Sequence, residues 1–180
     1  PAASTLSPIP TCPSDSGRWV FSSREIQEGA RLFIRVPTPT HTHIENRHRI
    51  QPNDTNNYDT AHGGTVMRLM DEVGAMSAMR LAGETCVTAR IEGLNFERPI
   101  PRGDIAVVES WAYETGRTSV KIRLTVDRED PRTGETERTS ESTFVFVAVD
   151  ESGTPVPVPD LAVKSDRDKE LRDRGAGSES

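Results

Sequence analysis

Cysteine occurs only twice, as Cys12 and Cys86 in dissimilar surroundings, so neither a disulfide framework nor a cysteine-rich metal site can be assembled. A reducing, cytoplasmic setting is the simplest expectation. Long apolar runs are missing, and no basic segment followed by a hydrophobic one stands near the N-terminus, which argues against a membrane span and a secretory signal. Lysine is scarce: Lys121, Lys164 and Lys169 are the only three among 22 basic residues, set against 28 acidic ones for a net charge of -6. No Lys/Arg cluster is long enough to track a phosphate backbone, so nucleic acid is not expected as a partner. The arginine bias fits a salt-adapted protein or a GC-rich genome. A glycine-rich phosphate loop closing on Lys-Ser/Thr is absent, as is a Gly-x-Ser-x-Gly elbow, which removes nucleoside-triphosphate and serine-hydrolase chemistry. His41 and His43 lack acidic or cysteine co-ligands nearby, so no metal or cofactor is expected.

What is present divides the 180 residues into three parts. Residues 1–40 mix Pro, Ser and Thr with scattered apolar residues and no period, and read as a disordered extension whose apolar pieces could still dock. Residues 161–180 are charged and end in small residues, too poor in apolar surface to repay ordering. Residues 41–160 form the domain. Within it, Thr65 to Ala82 contains no proline, is rich in Met, Leu and Ala, and meets Gly83, a stop signal for a central helix buried on most of its circumference. Strands are expected at 43–51, 85–96, 104–114, 118–128 and 136–149. The third and fourth should pair through Thr115-Gly116-Arg117. In the fourth, Val120, Ile122, Leu124 and Val126 alternate with Lys121, Arg123, Thr125 and Asp127, which predicts one wet face. The run from Phe144 to Val149 is apolar on both faces and should be covered on both. The class is α+β, an antiparallel sheet of about five to six strands wrapped around one long helix.

Three features could carry chemistry. On a helical wheel Asp71 leaves the polar arc of Thr65, Arg68 and Glu72 and joins Met67, Ala75, Ala78 and Ala82. A carboxylate on such a face has either a partner, such as Arg90 or Arg98, or a task. His62-Gly63-Gly64 precedes the helix, where close backbone approach and unpaired N–H groups suit a developing oxyanion, although a flexible turn with a histidine cap would look the same. The polar stretch Pro52 to Thr60 is either a turn with helix caps or a place to orient water beside that carbonyl.

Residues 43 to about 160 resemble the hotdog-fold acyl-CoA thioesterases. The resemblance is carried by Asp54-Thr55-Asn56, His62-Gly63-Gly64, Met70-Asp71-Glu72-Val73-Gly74, Cys86-Val87-Thr88-Ala89-Arg90, Phe96-Glu97-Arg98-Pro99, Gly103-Asp104, Gly116-Arg117-Thr118-Ser119 and Phe146-Val147-Ala148-Val149-Asp150, in the family's order. It implies hydrolysis of an acyl-CoA thioester by a carboxylate-activated water, with no cofactor beyond the CoA of the substrate, in a homodimer at least and commonly a tetramer or hexamer. Of the family's two schemes, Asp71 on the helix and Asn56 ahead of the histidine fit the first. The second wants an acid or amide where Thr60 stands, with Asp59 adjacent. The implied roles are Asp71 as base, Asn56 and Thr60 as water-orienting groups, Asp59 as the alternative acid, His62 as an aid at the thioester and Gly63 and Gly64 as polarisers. Arg90, Arg117, Thr118 and Ser119 become candidates for coenzyme contacts. A non-catalytic acyl-CoA-binding hotdog domain is the alternative, favoured by Thr60. A hotdog dehydratase comes third, its histidine-containing patterns not being apparent.

Overall fold

The computed structural model describes residues 36–177. Most of the expected 1–40 extension therefore lies outside the described residues. Its last residues are ordered: Pro37 and Pro39 are buried and lead into a short helix α1 (Pro39–Thr42) capped by Thr38.

The proline-free stretch forms the central helix α2 (Gly63–Ala82), two residues longer at its start than its sequence suggests. His62 caps it at the front, and Gly83 ends it in the left-handed region at φ 72°, returning its N–H to the carbonyl of Met79. Five strands follow the expected boundaries closely: β1 (Ile44–Arg49), β2 (Thr85–Phe96), β3 (Ile105–Thr115), β4 (Ser119–Glu129) and β5 (Thr136–Val149). They build one antiparallel sheet in the order β1-β3-β4-β5-β2. Strands β3, β4 and β5 are a meander, whereas β2 is carried by the central helix to the far edge and pairs with β5.

The alternation in β4 decides what the helix meets. Val120, Ile122, Leu124 and Val126 face inward with Phe144 and Phe146 and close over Val66, Leu69, Met70 and Val73. At Gly74 the helix lies nearly on the sheet, since a Cβ there would stand 3.0 Å from the Phe146 ring and 3.2 Å from Leu124. Only a residue without a side chain allows this approach. One sheet covers one side of a helix, so the expectation of burial on most of its circumference is corrected: Met67, Arg68, Glu72, Met76, Met79 and Arg80 lie open.

Two further expectations are corrected by a single cause. Residues 161–180 are not a tail throughout, because Asp166–Ala176 forms a helix, α3. It packs on the outer side of β3, where Leu171 joins Trp111 and Tyr113 in a second apolar cluster and the Trp111 indole donates to the Leu171 carbonyl at 2.7 Å. The outer face is therefore not uniformly wet, and Arg123 and Thr125 are buried. The outward side of the Phe144 to Val149 run is half-covered. Among the described residues no helix is long and apolar enough to cross a membrane.

Asp168 holds α3 in place. Its buried carboxylate accepts from the N–H groups of Thr40, Lys164 and Ser165 and from the Ser165 hydroxyl, all at 2.9–3.1 Å. Burial pushes this carboxyl upward, but those donors outweigh it and hold it well below the usual carboxylate range. A carboxylate with a depressed folded pKa lends stability above the unfolded pKa of about 3.9 and loses it as pH falls further. Asp168→Ala should cost about 3 kcal/mol at pH 7, through loss of charge-assisted bonds at a buried site. Melting the two proteins at pH 7 and at progressively lower pH checks this, and the gap should close on acidification.

Candidate active site

The polar stretch before the central helix folds around Asp54. Residues Pro52–Asp54 make one 3₁₀ turn, and the buried Asp54 carboxylate accepts from the Gln51 N–H at 2.9 Å and meets His48 Nε2 on β1 at 3.0 Å. The Gln51 donor, then the His48 contact, lowers its pKa. The Asp54 carbonyl in turn accepts the His62 N–H at 2.8 Å, so one residue ties the loop to the sheet and to the helix start. Asp54→Ala is expected to lower the melting free energy by about 2 kcal/mol and turnover about tenfold. Calorimetry and initial rates measure the two effects separately.

Within this loop, Asn56 Oδ1 accepts from Tyr58 N–H, Thr60 N–H and the Thr60 hydroxyl at 2.9–3.3 Å. The Asn56 amide nitrogen makes no hydrogen bond among the described residues, and Thr60 opens on a cleft of about 350 Å³. Asp59 is the one non-glycine residue at positive φ (57°) among the described residues. Its carboxylate turns outward to within 3.6 Å of Arg102, which separates it from Thr60 despite their adjacency.

The helix N-terminus has one donor to spare. His62 Nδ1 accepts the Gly64 N–H at 3.1 Å, and the His62 carbonyl takes the N–H groups of Thr65 and Val66. Gly64 is therefore spent on the cap, unlike Gly63. The Gly63 N–H has no partner among the described residues and lies at the positive end of a helix about 30 Å long. Gly63 lines the same cleft as Thr60, with Ala61, Val66, Phe96 and Ile100 as its apolar wall.

Asp71 is elsewhere. It lies eight residues further along the helix, about 12 Å at 1.5 Å per residue, half-exposed on the side that the sheet leaves open. Neither Arg90 nor Arg98 pairs with it, since these bind Glu92 and Glu137. Its partner is the Thr88 hydroxyl on β2, which donates to Asp71 Oδ1. Thr88 sits beside a register shift in the β2–β5 pairing, between Thr88 and Arg90, and a local irregularity of this kind re-aims side chains. Arg90 is exposed on the same strand. Arg117, Thr118 and Ser119 stand at the opposite end of the sheet from Gly63: Ser119 pairs with Val147, whereas the cleft wall reaches Ser140, about 23 Å away at 3.3 Å per residue. Burial, and then Glu84, pushes the Cys86 thiol up to about 11, so it is no nucleophile.

The family model described as the thioesterase superfamily matches residues 58–135. The chain is 35% identical over 120 residues to the Bacillus subtilis protein named uncharacterized acyl-CoA thioester hydrolase YkhA, covering 67% of this chain and 70% of that one. This chain belongs to the thioesterase superfamily. With the rat cytosolic acyl coenzyme A thioester hydrolase this superfamily member shares 30% identity over 133 residues, but spans only 35% of that relative's length. Among solved structures, an apo-hexameric acyl-CoA thioesterase matches at TM-score 0.71 and 34% identity, over 78% of this chain and 90% of the other. An acyl-CoA hydrolase from Staphylococcus aureus, in complex with butyryl coenzyme A and coenzyme A, matches at 0.69 and 30%, over 75% and 82%. That hydrolase was also solved with alanine replacing an asparagine, an aspartate and a threonine. The aspartate follows the asparagine by fifteen positions and the threonine follows the aspartate by seventeen, the same separations that divide Asn56, Asp71 and Thr88 in the thioesterase-superfamily chain. Thr88 lies within the segment Cys86 to Arg90 but carries no signal of its own in the sequence, because a threonine on a strand is silent until its partner is known.

Proposed function

We propose that this protein hydrolyses acyl-CoA thioesters to a free acid and CoA, at a site shared between two copies of the chain. The unpaired Gly63 N–H, opening on a cleft with an apolar wall at the head of the central helix, is the observation that carries this reading. A thioester carbonyl placed there gains a donor as its oxygen becomes anionic, and the apolar wall of Ala61, Val66, Phe96 and Ile100 excludes competing water. Asn56 and Thr60 hold the attacking water beside it.

The base is Asp71, oriented by Thr88, and the spacing shared with the substituted S. aureus hydrolase supports both assignments. A carboxylate about 12 Å along the helix from Gly63 cannot deprotonate a water at its own chain's cleft. A second copy supplies it. The open side of the helix, with Met67, Met76 and Met79 exposed, and the long edge strand β2, with Val87, Ile91 and Phe96 exposed, are the surfaces such a copy would cover. The hexameric thioesterase among the similar structures agrees with a homo-oligomer of at least two chains. On this reading Arg90, Arg117, Thr118 and Ser119 serve the coenzyme portion of the site whose Gly63 belongs to the other copy. No cofactor is required, and we place the reaction in the cytoplasm, as the name of the rat relative has it for that protein.

Thiol release from short, long, branched and aromatic acyl-CoAs, at low and high salt, tests the reading. Turnover of at least one class is expected. Tight acyl-CoA binding with no thiol release across the panel would instead select a binding domain.

A further inference from the structure

The outer face of the sheet carries another cleft, of about 370 Å³, across the sheet from the one at Gly63: Arg138 and Glu141 of β5 line it, whereas Thr139 and Ser140 between them line the other. Trp111 on β3, Arg123 and Thr125 on β4, Arg138 and Glu141 on β5 and Arg174 on α3 line it. Arg123 is only 5% exposed and is held to Glu141 at 2.9 Å. Arg138 pairs with Asp127 and approaches Glu141 to 3.8 Å. Arg174 has no carboxylate partner among the described residues, and its guanidinium lies over the Trp111 ring, 4.8 Å from the centroid. Three guanidinium groups thus meet two carboxylates, in a chain whose net charge is -6. The Thr125 hydroxyl oxygen is fully buried beneath them with no hydrogen-bond partner. A buried hydroxyl left unpaired costs stability, so its retention calls for a missing partner.

We propose that this cleft binds a phosphate group. The surplus positive charge, carried by the exposed Arg174, attracts an anion, and guanidinium forks match phosphate oxygens. The geometry favours a tetrahedral anion over a carboxylate. Donors come from β4, from β5 and from α3, which packs on β3, so they converge from different planes, and the Thr125 hydroxyl, closed to solvent in this conformation, becomes a further contact from the floor when the cleft opens. Arg174 is the mobile element, because cation–π contact with Trp111 is weaker than a charge-assisted bond to phosphate. Ligand entry draws it off the ring.

That movement makes Trp111 a local reporter. Trp19→Phe leaves it as the sole tryptophan of the two, and this variant is titrated with inorganic phosphate and with acetate at matched ionic strength. A saturable change in emission is expected, with half-saturation at roughly 1 mM or below and acetate at least tenfold weaker. Arg174→Gln and Thr125→Val, each added to that background, should weaken the phosphate response by about fivefold or more. Thiol release should stay unchanged in both. Thr125→Val removes a hydroxyl that has no partner, so it retains the fold. Adenosine 5′-monophosphate as a third titrant separates the sources: tighter binding than phosphate assigns the cleft to a nucleotide-borne group, equal binding to the phosphate alone. A response that does not saturate, an acetate response equal to that of phosphate, or variants that titrate like their parent would each overturn the proposal.

Discussion

Asp71→Ala should lower kcat about a thousandfold, within the range that a positioned general base contributes, while circular dichroism and melting temperature stay near those of the parent. Stability is spared because the Asp71 carboxylate is half-exposed and, among the described residues, bound only by Thr88, so its removal strands no buried group. Asp71→Asn should recover little, since an amide keeps the Thr88 contact but accepts no proton. Thr88→Val should give a smaller loss, with Asp71 present but unaimed. A folded Asp71→Ala protein with unchanged turnover would move the base elsewhere, and Asp59 would be the next residue to replace.

The second large effect is expected from Gly63→Pro. Position 63 is the first residue of the helix, where proline is favoured because the N–H it lacks has no helical partner. His62 already has the extended backbone, φ -67° and ψ 134°, that a residue before proline adopts. A Cβ at 63 would meet only the Phe96 ring at 3.5 Å, an ordinary contact. The substitution therefore deletes one donor and leaves the helix, and kcat should fall by about 10²–10³. Combined with Asp71→Ala it also tests the shared site. When the two inactive proteins are unfolded together and refolded, half of the dimers pair one of each. In those, one site has Gly63 from one chain and Asp71 from the other, so about a quarter of parental activity should return. A site contained within one chain would return none.

Much of this architecture was legible in the residues, for reasons that can be named. The helix from 63 to 82 announces itself by lacking proline and by stopping at Gly83, and β4 by strict alternation. The helix at Asp166–Ala176 was not legible, because its buried residues include just one large apolar side chain, Leu171, and an apolar stripe of one leaves no period. Its local signal was the capping box, in which Ser165 and Asp168 bond each other's backbone N–H groups. Without that helix the alternate residues of β4 read as wet, whereas Arg123 and Thr125 are buried. At the proposed site, Asn56, Thr60, His62 and Gly63 were legible as a group because they fall within eight consecutive residues. Which glycine was free was not, since that depends on the orientation of one imidazole. The Asp71–Thr88 pair joins elements whose register no local pattern fixes.

The path of the chain through the sheet also sets a clock. β1 and β3 are neighbours in space, yet Ile44 and Ser110 are sixty-six positions apart, with the central helix and all of β2 between them. Closing a loop of that length delays pairing, whereas β3, β4 and β5 join through short turns and can zip locally. During synthesis, at 5–20 residues per second, β1 waits roughly 3 to 13 s for the strand it will pair with. By the end of that interval the nascent chain has made β1 and the central helix, with no sheet yet to receive either.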